Sequence, residues 1–165
     1  MADLHISWDE YNKKTEQLAS MVHKDGWEFN QVVCIAKGGM RVGDIMARIF
    51  DVPLAILSVE SYRGDGVKNK RGSITFSRDL AKTSPNIGSK VLIVDDLADS
   101  GKTLQAFEDI YKYLRNITKV PKITTACLYC KKNSEFRPDH YSELVTSDDW
   151  LVFPWELNII PLDHK

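Results

Sequence analysis

Apolar positions along this chain alternate between the spacing of a helix face and the short unbroken runs of buried strands. Ser7-Trp8-Asp9-Glu10 fits a capping box, and Tyr11, Leu18, Met21 and Val22 then recur at helical spacing, predicting a first helix up to about His23. After the turn-like Lys24-Asp25-Gly26, residues 31–36 (QVVCIA) have the β-branched character of a buried strand. That strand stops at Lys37-Gly38-Gly39, and Val42, Ile45, Met46, Ile49 and Phe50 trace one face of a helix leaving the glycines directly. A second strand is predicted over 52–62, with Pro53 at its start. Residues 63–72 (RGDGVKNKRG) are polar and cationic with three glycines, an exposed loop, and 73–77 (SITFS) make a short returning strand. Residues 91–96 (VLIVDD) form the central buried strand, followed by a helix with Leu104, Phe107, Ile110, Tyr111, Leu114 and Ile117 on one face. A further strand covers 122–130 (KITTACLYC), and the tail 148–156 (DDWLVFPWE) is rich in aromatics. This alternation predicts an α/β fold, a mostly parallel sheet flanked by helices, with ligands at the carboxyl ends of the strands. The length suits a single domain spanning 1–165.

Composition narrows the class without naming a ligand. A chain that is 43% hydrophobic and 27% charged is ordinary for a globular protein, and no apolar run nears the roughly 20 residues that cross a bilayer. The start MADLHISWDEY has no basic region followed by an apolar one, so a cytoplasmic location in a reducing compartment is expected. A net charge of -1 gives no global pull toward nucleic acid. Among three cysteines only Cys127 and Cys130 are close in sequence, and no second Cys or His pair stands at zinc-ligand spacing. On a strand, positions three apart point to opposite faces, so these are read as packed, inert thiols rather than a redox dithiol.

The chemistry concentrates in residues 90–107, KVLIVDDLADSGKTLQAF. Two adjacent carboxylates and a third nearby, at the end of an apolar strand, cost free energy unless a cation or several hydrogen-bond donors offset them. A Walker A loop ending at Gly101-Lys102-Thr103 would need glycine where Asp96 stands, and a dinucleotide fingerprint would need glycine at Met40; both fail. What remains is a strand-to-helix loop of Ala98, Asp99, Ser100, Gly101, Lys102 and Thr103, whose amides and hydroxyls can wrap a phosphate at a helix N-terminus. Asp95 and Asp96 just upstream can accept from a pair of sugar hydroxyls or reach Mg²⁺, directly or through water. A ribose 5-phosphate fits both halves.

VLIVDDLADSGKT resembles, along its whole length, the binding motif for 5-phosphoribosyl pyrophosphate (PRPP) in type I phosphoribosyltransferases. CIAKGG is similar to the turn these enzymes use for pyrophosphate, VESY to the start of their flexible catalytic loop, and DDWLVFPWE to the base-binding tail of the xanthine-guanine enzymes. With the opening ISWDEY, the likeness covers nearly the whole chain. It implies a type I phosphoribosyltransferase fold with a small base-binding hood. It further implies Mg²⁺-dependent transfer of phosphoribosyl from PRPP to N9 of guanine, xanthine or hypoxanthine, by a homodimer or homotetramer.

Carried onto these residues, the resemblance implies that Asp95 and Asp96 hold the ribose hydroxyls, with Asp96 also near the metal. Ala98, Asp99, Ser100, Gly101, Lys102 and Thr103 take the 5-phosphate, and Asp99 stands beside N7 of the purine to assist proton movement. Lys37 and Gly38 match the pyrophosphate turn, which carries an unusual peptide geometry in the family. Ser61 and Tyr62 match the loop that closes over the reacting centre. Lys131 matches the lysine that donates to the purine O6, Trp150 the aromatic that stacks on the base, and the Leu151 backbone an acceptor for its ring edge. Glu156 stands where related enzymes place an acid near the purine 2-substituent. No arginine follows Arg137, so the C-terminal pyrophosphate arginine of the longer hypoxanthine-guanine enzymes is lacking. The divergent 63–72 loop assigns no pyrophosphate contact to Lys70 or Arg71. Two other readings stand beside the enzyme of purine salvage: a PRPP-sensing or nucleotide-sensing regulator on the same fold, and a phosphoribosyltransferase for another base.

Overall fold

Ser7 starts the first helix as its pattern predicts. Its Oγ accepts from the Glu10 amide at 3.1 Å, and α1 runs Trp8–Lys24. The reciprocal half of the capping box gives way to tertiary structure: the Glu10 carboxylate accepts from the Tyr129 hydroxyl at 3.3 Å. The computed structural model describes residues 2–61, 74–76, 80–99 and 122–156, with the backbone alone at 59–61 and 74–76. The helix expected over 104–117 and the 63–72 loop lie outside the described residues.

Nine strands are described: β1 (Asp3–His5), β2 (Gln31–Ala36), β3 (Leu54–Ser61), β4 (Ile74–Phe76), β5 (Ala81–Lys82), β6 (Lys90–Ala98), β7 (Lys122–Lys131), β8 (His140–Val145) and β9 (Trp150–Val152). The main sheet has the order β4-β3-β2-β6-β7-β8, with β5 also on β3. β3, β2, β6, β7 and β8 run parallel, and β4 and β5 return antiparallel on β3. The short returning strand expected over 73–77 is therefore present at Ile74–Phe76. β2 has β3 on one side and β6 on the other, so the chain reverses its direction of travel across the sheet at β2. The crevice at such a switch point is where open α/β sheets bind ligands.

Alternation along β2 and β6 divides the core in two. Val32, Leu92 and Val94 join the cluster beneath α1 and α2 (Gly39–Phe50), whereas Val33, Val91 and Ile93 join a second cluster. α1 is also held by polar contacts: the Ser142 hydroxyl donates to the Lys14 carbonyl at 2.6 Å, and Lys14 pairs with Glu143 at 2.8 Å. β8, which these contacts secure, carries no continuous apolar run and is missed by the pattern, as are the short β1 and β5.

Several expected core positions turn outward. Met21 of α1 is 40% exposed and Ile49 of α2 is 52% exposed, while Thr15, Ala19, Gly43 and Ala47 are buried in their place. The buried stripe is rotated toward small residues because these let α2 lie close on the sheet: a Cβ on Gly43 would run into the Cys34 side chain. β3 starts two residues later than expected: Pro53 has no amide to donate to the ladder, although its carbonyl already accepts from the Val32 amide at 3.0 Å and from the Gln31 side chain at 2.9 Å. Cys127 and Cys130 do not separate into different cores. Leu128 and Tyr129 both join the first cluster, so the alternation slips there, and Cys130 returns to the second cluster beside Cys127. The 96–128 pair is absent from the otherwise continuous β6–β7 register at the same place.

Gly39 opens α2 against the neighbouring strand, where a Cβ would stand 2.5 Å from the Val94 carbonyl oxygen. Backbone cannot yield there as a side-chain tip can. Gly39→Ala should lower unfolding stability by about 1–3 kcal/mol, the usual range for forced overpacking, measured by urea denaturation; an unchanged midpoint would show that the helix can lift at no cost.

Candidate active site

The parallel sheet brings the carboxyl ends of β2, β3, β6 and β7 to one edge, and the chemistry read from the sequence collects there. β2 ends at Ala36, the Ala36–Lys37 peptide is cis, and Gly38 caps α2. An unusual peptide geometry therefore stands immediately before Gly38. Lys37 is exposed, and its carbonyl accepts from the Met40 amide at 3.1 Å. Gly38 lies directly against the acidic pair, since a Cβ on it would fall 2.6 Å from Cγ of Asp96. Only glycine lets the turn and the carboxylate approach so closely.

Asp95 and Asp96 are not in a turn. β6 continues through them to Ala98, with Asp95 paired to Cys127 and Ala98 to Cys130. Ala98 is accordingly a buried strand residue rather than the first residue of an open loop. The strand extends because β7 supplies ladder partners to its end, which an isolated reading of VLIVDD could not reveal. The Asp96 amide donates to the Asp95 carboxylate at 2.8 Å. Burial pushes the Asp95 carboxyl well above the usual carboxylate range, and the Asp96 charge adds to it. Asp96 is also raised, again first by burial, with the Glu156 carboxylate contributing. Asp99 is exposed immediately after the strand. Ser100, Gly101, Lys102, Thr103 and Tyr62 lie outside the described residues; Ser61 ends β3, its backbone opposite Ile74.

The base-binding candidates form a second group. Lys131 ends β7 and donates its ammonium to the Asp149 carbonyl, next to Trp150. Trp150 is 60% exposed, whereas Leu151 is buried. β9 pairs in parallel with β1 as a separate two-stranded sheet. The Trp150 amide donates to Ala2 and the Val152 carbonyl accepts from Ile6, so the Leu151 amide and carbonyl face away from β1. The strand therefore presents an exposed indole, a backbone donor and a backbone acceptor side by side. Glu156, exposed in the 3₁₀ turn Pro154–Glu156, accepts from the Phe153 amide at 2.6 Å and so shapes that turn.

Sequence reasoning gave Tyr11 and Arg41 no part here. Tyr11 is fully buried, its hydroxyl finds no hydrogen-bond partner among the described residues, and its pKa is raised first by burial and next by Asp96. Arg41, in the first turn of α2, lies 4.7 Å from the Trp155 ring centre. Their sequence positions carry no motif; only the packing of α1 on α2 brings them to this edge.

Mg²⁺ prefers oxygen ligands and is often held by one or two carboxylates with substrate phosphates and water completing its shell. Two adjacent carboxylates whose ionised forms are penalised by burial fit that donor pattern.

Residues 7–160 match the phosphoribosyl transferase domain family. Over 158 residues the chain is 33% identical to a xanthine-guanine phosphoribosyltransferase of Ruegeria sp. (strain TM1040), covering 93% of this chain and 85% of that one. A xanthine-guanine phosphoribosyltransferase of Roseobacter denitrificans (strain ATCC 33942 / OCh 114) is 32% identical over the same shares. Among solved structures, a purine phosphoribosyltransferase from Pyrococcus horikoshii Ot3 aligns with a TM-score of 0.75 at 25% identity, covering 100% of this chain and 99% of that one.

The raised Asp96 carboxyl has a consequence for stability. A group whose folded pKa exceeds its unfolded value contributes stability below the unfolded pKa and loses it as pH rises through the folded one, so near pH 7 the ionised pair weakens the fold. Asp96→Asn should therefore melt at or above the wild-type temperature at pH 7, with the difference vanishing toward pH 4; a lower melting temperature throughout would contradict the assigned penalty. The thiols supply a second check. Burial pushes Cys34 up to about 11 and raises Cys127 and Cys130 as well. At pH 8 Cys34 is then thiolate about one part in a thousand, so the native protein should leave all three unreactive toward Ellman's reagent over minutes, with three equivalents released in guanidinium.

Proposed function

Since this chain belongs to the phosphoribosyl transferase domain family, we propose that it is a purine-salvage enzyme transferring the 5-phosphoribosyl group of PRPP to N9 of a 6-oxopurine, guanine, xanthine or hypoxanthine. The observation that carries the reading is the meeting, at one edge of a parallel sheet, of the Asp95–Asp96 pair, the Lys37–Gly38 turn and the end of β7 at Lys131, whose ammonium reaches the Asp149 carbonyl beside Trp150.

In this reading the acidic pair accepts from the ribose hydroxyls, and Lys37 and Gly38 receive pyrophosphate. Ser100, Gly101, Lys102 and Thr103, with Ala98 and Asp99 before them, surround the 5-phosphate. Trp150 stacks on the base, the ammonium of Lys131 donates to O6, and the outward Leu151 backbone meets the ring edge. Glu156 faces the 2-substituent side. The purine N9 forms its bond to the anomeric carbon while the carbon–oxygen bond to pyrophosphate breaks, and the electron pair leaves with pyrophosphate. Positive charge builds on the ribose ring, where Asp95, Asp96 and Asp99 offer a negative rim. Asp99, at the mouth of the strand, assists the proton leaving the purine. Ser61 and Tyr62 belong to the segment that covers the reacting centre. Asp96, with Asp95 beside it, would hold Mg²⁺, which supplies charge neutralisation for the pyrophosphate.

A cytoplasmic location suits three free buried thiols, and among the described residues no helix is long and apolar enough to cross a membrane. A homodimer or homotetramer is the assembly proposed with this function.

Pyrophosphate release should be followed with Mg²⁺ and PRPP against xanthine, guanine, hypoxanthine, adenine and uracil. Turnover with the 6-oxopurines alone is expected. Turnover with uracil or adenine would move the assignment to another base, and PRPP binding with no release from any of the five would favour a sensor. Lys131→Ala should lower kcat/KM for the preferred purine by roughly 10- to 150-fold, the worth of a charged hydrogen bond of about 1.5–3 kcal/mol. PRPP binding should change less than twofold; unaltered turnover would count against recognition of O6.

A further inference from the structure

Arg41 occupies the first turn of α2, three residues beyond Gly38, and its guanidinium carbon lies 4.7 Å from the centre of the Trp155 ring and 5.7 Å from that of Trp8. The two indoles are themselves 6.1 Å apart. A guanidinium is weakly hydrated and is attracted by the negative face of an indole, so a cation against two such rings is held without needing a carboxylate. No ion pair to Arg41 is present among the described residues.

What Trp155 touches next gives this contact its meaning. Its ring stacks on Phe153 at 4.8 Å, nearly parallel at 7°, and meets Tyr11 edge-on at 5.1 Å. Phe153 directly follows β9, whose Trp150 and Leu151 face the base, and it also packs on Tyr129 of β7 at 5.9 Å. A nearly rigid line of side chains thus runs from the turn that takes pyrophosphate, through Arg41, Trp155 and Phe153, to the strand that takes the purine. β9 belongs to a two-stranded sheet outside the main one, so its placement over the PRPP half of the site depends on contacts of this kind.

We infer that Arg41 is a positioning residue for purine binding: its cation, held against Trp8 and Trp155, sets the base-binding strand over the Lys37–Gly38 turn. The inference rests on the proposed transferase reading. It goes beyond that reading by making purine affinity depend on a residue outside those assigned to the base and to PRPP. A merely structural Arg41, covering aromatic surface with its methylenes, would be replaced well by methionine and would leave substrate constants alone.

The test compares wild type, R41K and R41M by steady-state kinetics with the preferred purine and PRPP, alongside thermal melting. R41M keeps apolar cover and removes the charge; R41K keeps a cation able to sit on the rings. The expected result is a purine KM raised tenfold or more in R41M, a PRPP KM within twofold of wild type, and a purine KM restored to within threefold in R41K. Wild-type purine KM in R41M overturns the inference, and so does an equal rise in both constants. Should R41M fail to fold, R41Q carries the same comparison. Wild-type protein silent with every base would remove the transferase reading and the inference together, whereas an active wild type with an indifferent R41M removes the inference alone.

Discussion

The register of β2 against β6 is the constraint on which the site depends. Asn30 sets it at the opposite end of the sheet, where its side-chain oxygen accepts from the Lys90 amide and its own amide donates to the Lys90 carbonyl, both at 3.0 Å. From that clip the two strands run in parallel from Gln31 opposite Val91 to Cys34 opposite Val94. Their ends then bring Gly38 against the Asp96 carboxylate and Gly39 against the Val94 carbonyl. A slip of one residue would turn Val32 and Val33 to the wrong cores and carry the glycine turn away from the carboxylates it must meet. Both cores therefore oppose such a slip, and the chemistry inherits a spacing set by packing.

The acidic pair shows the opposite balance, between stability and use. Burial and mutual repulsion make the ionised carboxylates unfavourable in the protein alone, although the hydrogen bond from the Asp96 amide to the Asp95 carboxylate offsets part of this. A ligand that brings hydroxyl donors or a cation relieves the same penalty, so part of the binding free energy originates in the fold's own discomfort. The sheet supports this arrangement because β6 is flanked by β2 and β7 along the relevant length, with Val91, Leu92, Ile93 and Val94 all buried.

The side proposed to bind the base is held by different forces. β1 and β9 make only three backbone-paired positions, too few for a hairpin-sized sheet to persist alone. Aromatic packing around Tyr11, Tyr129, Phe153 and Trp155, with Arg41 at its edge, ties that small sheet to α1, α2 and β7. Lys131 adds a direct link through the Asp149 carbonyl, so the residue assigned to the purine O6 also braces the strand that carries Trp150. The two halves of the site are thus built on one rigid sheet and one appended strand, joined by side chains.

How much was legible beforehand follows from the range over which each signal acts. Local signals were readable: the Ser7 cap, the β-branched run of β2, the glycines opening α2, the buried run of β6 and the phosphoribosyltransferase motif with its acidic pair all depend on neighbours in sequence. Alternation, too, placed the catalytic candidates on the carboxyl ends of a parallel sheet. β1 and β8 were not readable, because the first is three residues long and the second is an edge strand secured by Lys14 and Asp25 rather than by its own pattern. Nor were the outward Met21 and Ile49, the shared core of Cys127 and Cys130, or the extension of β6 to Ala98, since each answers to a neighbouring element. By itself the sequence determined the strand and helix periods, the family and the residue types of the proposed site, for these are written in contiguous segments. Tertiary structure alone decided that Gly38 rests on Asp96, that Lys131 meets the turn before Trp150, and that Arg41 lies against Trp8 and Trp155, because those distances arise from strand register and helix packing between residues far apart in the chain.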